Sequence, residues 1–468
     1  MFSGKVAILV LTTSFIAKKA CATFVALPSE SWKPQCRLAK ELRKLPGLSK
    51  SKVDGEFAAY AALEKTRLRL LIFATKNPGD TDAVLLRALA EAAEAKQETI
   101  RTAAAAMVQK GLKATAYAAE MAGAITSAIQ TLKAANDGTN YCLNKNSKTG
   151  NGNTDVDSEG CQTLDFQAEL PPDTLNGGVI DTDGFKTNTG LTGPAAKGQT
   201  DKCGFFAAAQ GAQSATAGVQ IGSGGAKISL GLGLIEAEAS NTPSRKDLSN
   251  FKTTARNEAT TFFGKAHAAI MELNQETSNP LGTESAEAIM KALTLEPAAL
   301  AAIKQQLAAS ETDGKISGYD NRDNALKTDY FGAAGEKITP LWNKVKDENV
   351  AGSSDVVGKE VKLSSLKTEQ QLRQVLLYYR NRTAKETTRQ QQEIDRLTKA
   401  NTAATKGAET DATCEKKGKE DNCKDGCKWD TDGENKECVV DSIYKTKQTK
   451  EAKAEDKKEE KCKKHGTN

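Results

Sequence analysis

The sequence predicts a mainly α fold. It comprises a long antiparallel helical hairpin of coiled-coil character, a small β-containing, loop-rich lobe, and a small disulfide-rich C-terminal domain. Three observations predict it. After a single turn signal, apolar residues recur at heptad spacing from Leu89 to Leu132. A stretch dense in Asn, Gly, Thr and Asp interrupts the helical patterns from Asn136 onward. The cysteines fall into two groups, parted by a long cysteine-free interval from Cys203 to Cys414. Hydrophobic residues make up 38% and aromatics only 5%, so Ala and Leu rather than rings must supply the core. Alanine is the strongest helix former and lets helices approach closely.

The N-terminus sets the compartment. Lys5 precedes an apolar run from Val6 to Ala17, which is too short and mixed to span a bilayer. Ala20-Cys21-Ala22 then offers small residues to a signal peptidase, so residues 1–22 read as a signal peptide cleaved after Ala22. No other stretch is apolar enough to cross a membrane. Export gives the ten cysteines their meaning: Cys21 is lost, and Cys36, Cys142, Cys161, Cys203, Cys414, Cys423, Cys427, Cys438 and Cys462 remain for an oxidising environment. Four cysteines in each of two groups leave three connectivities open in each. Cys462 is left over.

An elongated helical N-terminal domain is expected over residues 23–401. Asn77-Pro78-Gly79-Asp80 is a turn signal. Before it, Val53 to Thr75 reads as helix, with Phe57, Tyr60, Leu63 and Leu68 to Leu71 on an apolar face. After it, a helix is expected from Thr81 to Ala135. Its apolar residues are Leu89, Ala93, Ile100, Ala104, Met107, Ala114, Ala118, Met121, Ile125, Ile129 and Leu132, at coiled-coil steps. Such a helix is on the order of 80 Å long. Two helices joined by a short turn pack antiparallel. In the lobe, Val219, Ile221, Ile228, Leu230, Leu232 and Leu234 alternate with small or polar residues, the period of a strand or hairpin. Further helices are expected over Asn257–Asn274, Ser285–Leu295, Pro297–Ala309 and Thr368–Asn401. In the last, Leu372, Val375, Leu376, Tyr379, Thr383, Ile394 and Leu397 form the apolar side. Residues 402–413 read as a polar linker, 414–441 as the Cys-rich domain, and 442–468 as a charged, flexible tail.

Catalytic chemistry finds little footing. The two histidines, His267 in an Ala-rich helix and His465 in the tail, accompany no serine elbow, and so few histidines argue against a His-based metal centre. Asp155/Asp157/Glu159, Asp181/Asp183 and Asp430/Asp432/Glu434 lack the spacing of a calcium loop and read as solvated Asx turns. Gly222, Gly224 and Gly225 do not form a phosphate-binding fingerprint. The spacing Cys414, Cys423, Cys427, Cys438 would suit zinc in the cytosol; in an exported chain it reads as disulfides that stabilise a unit too small for its own core. No metal, cofactor or nucleic-acid partner is expected, since the net charge of +5 is interspersed rather than gathered on one face. Asn381-Arg382-Thr383 is an N-glycosylation sequon, making Asn381 a candidate glycan site.

Trp32-x-Pro34-x-Cys36 ahead of a helical hairpin, the series Cys36, Cys142, Cys161, Cys203, the sequon, the linker and Gly426-Cys427-Lys428-Trp429 occur together in this order. This set resembles the trypanosome variant surface glycoproteins, specifically a type A N-terminal domain joined to a Cys-rich C-terminal domain. The resemblance implies the bridges Cys36–Cys161, Cys142–Cys203, Cys414–Cys427 and Cys423–Cys438. It also implies a homodimer on the outer leaflet of the plasma membrane, held by a glycosylphosphatidylinositol (GPI) anchor. Its implied role is a coat that shields the parasite and varies antigenically, with host antibodies as partners and no enzymatic activity. Precursors in this family end in a small-residue anchor site and an apolar tail. The sequence stops at Asn468 without one, and with the unpaired Cys462 this predicts a longer precursor and leaves the anchor residue unassigned. The alternative is a receptor of the same architecture, similar to the transferrin receptor of these parasites.

Overall fold

The computed structural model describes residues 25–163, 170–199, 202–203, 207–208, 220–221, 227–238, 243–252, 260–309, 314–333, 335–351, 359–407, 411–418, 420–424, 426–431 and 437–441. The expected signal peptide, the glycines at 222, 224 and 225, Asp432, Glu434, the tail with His465, and Cys462 lie outside these residues. Two compact units divide between Arg373 and Gln374.

The first unit opens with α1 (Ser29–Leu42), α2 (Leu45–Lys76) and α3 (Asp82–Ala134). The Asn77–Asp80 turn reverses the chain: Asp80 N–H donates to the Asn77 carbonyl at 3.1 Å, and the Asp80 carboxylate accepts from Asp82 N–H at 2.8 Å, capping α3. Every apolar residue expected in the α3 seam is buried. Gln97 and Gly111 fill the two gaps in that seam and complete its series of three- and four-residue steps. At Gly111 the helices come close, with Ser49 Oγ 3.3 Å from the Gly111 carbonyl and 3.1 Å from Thr115 Oγ1.

Helix α2 starts eight residues earlier than Val53, with Pro46 in its first turn, where no intrahelical N–H is required. Its buried face also differs from expectation. Ala59, Leu63, Thr66, Leu70 and Phe73 are buried, whereas Phe57 is 58% and Tyr60 36% exposed. The rings sit to one side of the three- and four-residue series that meets the neighbouring helices. α1 was not foreseen, because Pro34 lies inside it and normally marks a helix break.

The lobe contains β1 (Ala207–Ala208) parallel to β2 (Gln220–Ile221), and an antiparallel sheet of β3 (Lys227–Leu230), β4 (Ile235–Glu238) and β5 (Ser244–Arg245). The alternating pattern stops at Leu230, which pairs with Ile235. Gly231, Leu232 and Gly233 all have positive φ, so Leu232 sits in the reversal and is 44% exposed rather than continuing the strand. Leu27 N–H donates to the Cys142 carbonyl and Asn144 N–H to the Leu27 carbonyl, both at 2.8 Å, which fastens the chain ahead of α1 to the lobe. One core joins α1, the C-terminal half of α3 and lobe residues such as Phe185, Leu234 and Leu248.

α4 (Phe262–Asn274), α5 (Ala286–Leu293) and α6 (Pro297–Ala309) follow, all packing on α3. Thr261 and Ser285 cap α4 and α5. α7 (Asp323–Phe331), α8 (Ile338–Asp347) and the antiparallel pair β6 (Asn349–Ala351) and β7 (Glu360–Lys362) complete the unit up to the start of α9 (Glu369–Gly407).

In the second unit, residues 380–400 of α9 are exposed on every side, including Ile394 (55%) and Leu397 (52%) of the expected apolar stripe. The pairs Glu386–Arg389 and Glu393–Arg396 support this stretch. Helix continues to Gly407 and resumes as α10 (Asp411–Glu415), inside the stretch read as a linker. The hairpin of β8 (Cys427–Asp430) and β9 (Glu437–Val440) completes the module. Its small core is the four cysteines with Trp429 and Val440.

Candidate functional site

The lobe is held to the helices through the first two turns of α1. The Trp32 ring is fully buried, and its Nε1–H donates to the Asn144 carbonyl at 2.9 Å. Gly152 passes under that ring, where an added Cβ would lie 2.9 Å from Trp32 Cζ2 and 2.7 Å from the Asn144 carbonyl oxygen. Pro34 has no N–H for the Glu30 carbonyl four residues back. Arg245, from β5, supplies the missing donor: its Nη1 donates to Glu30 O. Its Nε donates to Thr189 O at 2.8 Å, and its Nη2 reaches Thr189 as well. Arg245 is only 4% exposed, and burial pushes its guanidinium down to about 10 against the pull of Asp247 and Glu30.

Cys36 lies one turn beyond Trp32 and is bonded to Cys161, closing a 125-residue separation. Gly160 has φ 112°, and a Cβ there would lie 2.6 Å from the Cys36 carbonyl oxygen, so both the turn and the approach require glycine. Arg43 closes the same corner by donating to Gly160 O (2.9 Å), Gln162 O (3.0 Å) and Thr126 Oγ1 (2.7 Å). Cys142–Cys203 crosslinks the segment beside Leu27 to its neighbour, whose Lys202 carbonyl accepts from Tyr141 N–H at 2.9 Å, and Cys414–Cys427 and Cys423–Cys438 bind the C-terminal module.

The cluster Asp155, Asp157 and Glu159 anchors the lobe to α1 and α3. Asp155 and Glu159 pair with Lys33 (2.8 and 3.4 Å), Glu159 with Arg37 (2.7 Å), and Asp157 with Lys133 (2.8 Å). The Lys33 hydrogen bond holds the Asp155 carboxyl below its ordinary value. Asp181 and Asp183 pair with Lys186 and Lys252, and Asp181 closes an Asx turn on Asp183 N–H at 2.9 Å. Among the described residues no three metal-ligating side chains cluster. His267 is buried against Phe185 and Phe251, with Nε2 2.7 Å from the Asp181 carbonyl oxygen. Burial lowers its imidazole below the ordinary value.

Two further surfaces are exposed. Asn381 is exposed on α9. On the hairpin, Phe57 and Tyr60 lie one turn apart on α2, while Arg101, Val108 and Leu112 follow one face of α3. Tyr60 and Arg101 line the same open groove, which places the exposed Phe57, Val108 and Leu112 along one side of the helix pair. At the end of this groove Glu64 is buried. It accepts from Gln97 Nε2 at 3.1 Å, Arg67 Nη1 at 3.4 Å and Arg373 Nη2 at 2.5 Å.

A profile of the trypanosome variant surface glycoproteins (A-type) matches residues 7–380. The chain belongs to that family. It is therefore a member of a family of surface coat glycoproteins. It is 42% identical over 457 residues to variant surface glycoprotein ILTAT 1.24 of Trypanosoma brucei brucei, covering 95% of this chain and 88% of that one. Against variant surface glycoprotein MITAT 1.4A of the same organism the identity is 27% over 413 residues, covering 86% and 77%. The fold is similar to the solved structure of MITat 1.1, with a TM-score of 0.62, 18% identity, and coverage of 80% of this chain and all of that one. Among the described residues no helix is long and apolar enough to cross a membrane.

The sequence singled out Trp32 and Pro34 without their partners, while the bridge from Cys36 to Cys161 is the one the resemblance implies. Arg245, Gly152 and Gly160 were missed. A proline inside a helix leaves one carbonyl unsatisfied, which signals that a donor is needed but not where in the chain it lies.

Proposed function

We propose that this chain is a GPI-anchored coat glycoprotein that shields the parasite plasma membrane and mediates antigenic variation and immune evasion. The observation that carries the reading is family membership across the N-terminal domain. The stapled lobe supports it, because a scaffold fixed by buried residues lets exposed loops change without loss of fold. The reading includes cleavage after Ala22, an N-terminal domain over 23–401, a linker over 402–413, a Cys-rich domain over 414–441, a tail over 442–468, and a glycan on Asn381. It assigns no enzymatic role and takes host antibodies as partners. A homodimer forms through the exposed face of Phe57, Tyr60, Val108 and Leu112; large apolar residues grouped on one helical face mark interaction surfaces.

The test expresses the full-length precursor in the parasite. Release by a phosphatidylinositol-specific phospholipase, together with surface labelling at coat abundance, is the expected result. Retention after the phospholipase refutes the anchor. A scarce surface population refutes the coat and favours the receptor alternative. Sedimentation of the purified protein as a monomer, at concentrations where Phe57→Glu and wild type coincide, refutes the dimer face.

A further inference from the structure

We propose that Asn176 is a site of spontaneous deamidation, which converts an exposed turn of the lobe to aspartate and isoaspartate. The reaction needs a backbone nitrogen that is free to attack the preceding side-chain amide. Asn176-Gly177 meets this need. Both residues are exposed, and no atom lies within 4 Å of where a Gly177 Cβ would be. Among the described residues no acceptor takes the Gly177 N–H. Gly178 N–H donates to Asn176 Oδ1 at 2.8 Å. That bond draws electron density from Cγ, while the Val179 and Ile180 N–H groups bond the Asn176 carbonyl and leave the Gly177 nitrogen unused.

The other described Asn-Gly pair is closed to the reaction, and so are the described Asp-Gly pairs to the related imide formation, which loses water rather than ammonia. Gly152 N–H is spent on the Leu143 carbonyl at 2.8 Å, so Asn151 has no attacking nitrogen. Asp54-Gly55 lies inside α2. Gly138 N–H donates to Asn136 Oδ1 at 3.0 Å and Gly184 N–H to Asp181 Oδ1 at 3.1 Å.

The Gly177 nitrogen forms a bond to Asn176 Cγ and loses its proton to solvent. The side-chain nitrogen departs as ammonia, leaving a five-membered imide. Water then opens the ring. Attack at Cγ gives aspartate, and attack at the main-chain carbonyl gives isoaspartate with an extra methylene in the backbone. The position has consequences for the lobe. Asn176 N–H donates to a Glu41 carboxylate oxygen on α1, and Lys44 Nζ reaches the Thr174 carbonyl at 3.3 Å. A new carboxylate and a longer backbone beside Glu41 weaken the grip of α1 on this turn, and alter the surface that an antibody would meet.

The test incubates the purified full chain in H2-18O at neutral and mildly alkaline pH, followed by peptide mapping. The expected result is time-dependent uptake of one 18O at residue 176, faster at the higher pH, as a mixture of aspartate and isoaspartate, with Asn151 unchanged. Asn176→Gln abolishes the signal, and Gly177→Ala slows it strongly. Full retention of the amide at 176, while an unfolded peptide of the same sequence converts, would overturn the proposal. So would conversion at Asn151 as fast as at Asn176.

Discussion

Replacing Arg245 by Met should destabilise the protein by about 2–3 kcal/mol. Two carbonyls lose a charged donor whose hydrogen bonds contribute about 1.5–3 kcal/mol each, and water makes good part of that loss at the exposed Glu30 and Thr189. The figure follows from what the guanidinium touches. The methionine fills much of the space but leaves the Glu30 and Thr189 carbonyls without their donor. The proline gives the prediction its sharper form. Pro34→Ala restores an N–H that can serve the Glu30 carbonyl from within α1. In the Pro34→Ala background, Arg245→Met should therefore cost less, by a coupling of about 1–2 kcal/mol. Equilibrium urea unfolding of the four proteins, followed by far-UV circular dichroism, closes the cycle. Additive effects within about 0.5 kcal/mol would show that Arg245 does not stand in for the proline's missing donor.

Four other outcomes are expected. Removing Cys36–Cys161 as a paired Ala variant should destabilise the lobe by roughly 5 kcal/mol from loop-closure entropy over its 125-residue separation; mild reduction should likewise loosen the lobe and the C-terminal module while far-UV circular dichroism keeps most of its helical signal. Gly152→Val should cost about 1–3 kcal/mol through overpacking against Trp32, seen as a lowered urea midpoint. The folded-state pKa of His267 lies below its unfolded value, so the unfolded chain binds the proton more readily and stability falls as pH drops through the 6.5 of an ordinary imidazole; His267→Gln should flatten that part of the stability–pH profile. Asn381→Gln should abolish a glycosidase-sensitive mobility shift in the expressed protein without changing its unfolding midpoint.

The hairpin was legible because its physics is local. The α3 seam from Leu89 to Leu132 repeats at the period of the helix, and the Asn77–Asp80 turn announces itself by composition. The apolar side of α2 was misjudged at Phe57 and Tyr60 because aromatic rings read as core until the neighbouring helix is in place. α1 was hidden because Pro34 argues against helix by every local rule, and only Arg245, far along the chain, makes the exception affordable. The strand pattern ran on through Leu232 because period two cannot tell a strand from a glycine-flanked reversal. Asp155, Asp157 and Glu159 looked solvated for a related reason: their lysine and arginine partners Lys33, Arg37 and Lys133 lie on α1 and α3, whereas Asp181 forms the Asx turn its composition announces.

The buried pair of Glu64 and Gln97, with the half-buried Arg67 and the exposed Arg373, acts on alignment more than on strength. An alanine-rich seam is nearly self-similar, so α2 and α3 could slide past each other by a heptad with little loss of apolar contact. Such a slip would carry Glu64 away from Gln97 and leave a buried carboxylate facing alanine. The polar set thus works as a keyed joint in an otherwise repetitive shaft. Substitutions elsewhere along the seam can exchange one small apolar residue for another and keep the same alignment, and with it the same placement of the lobe.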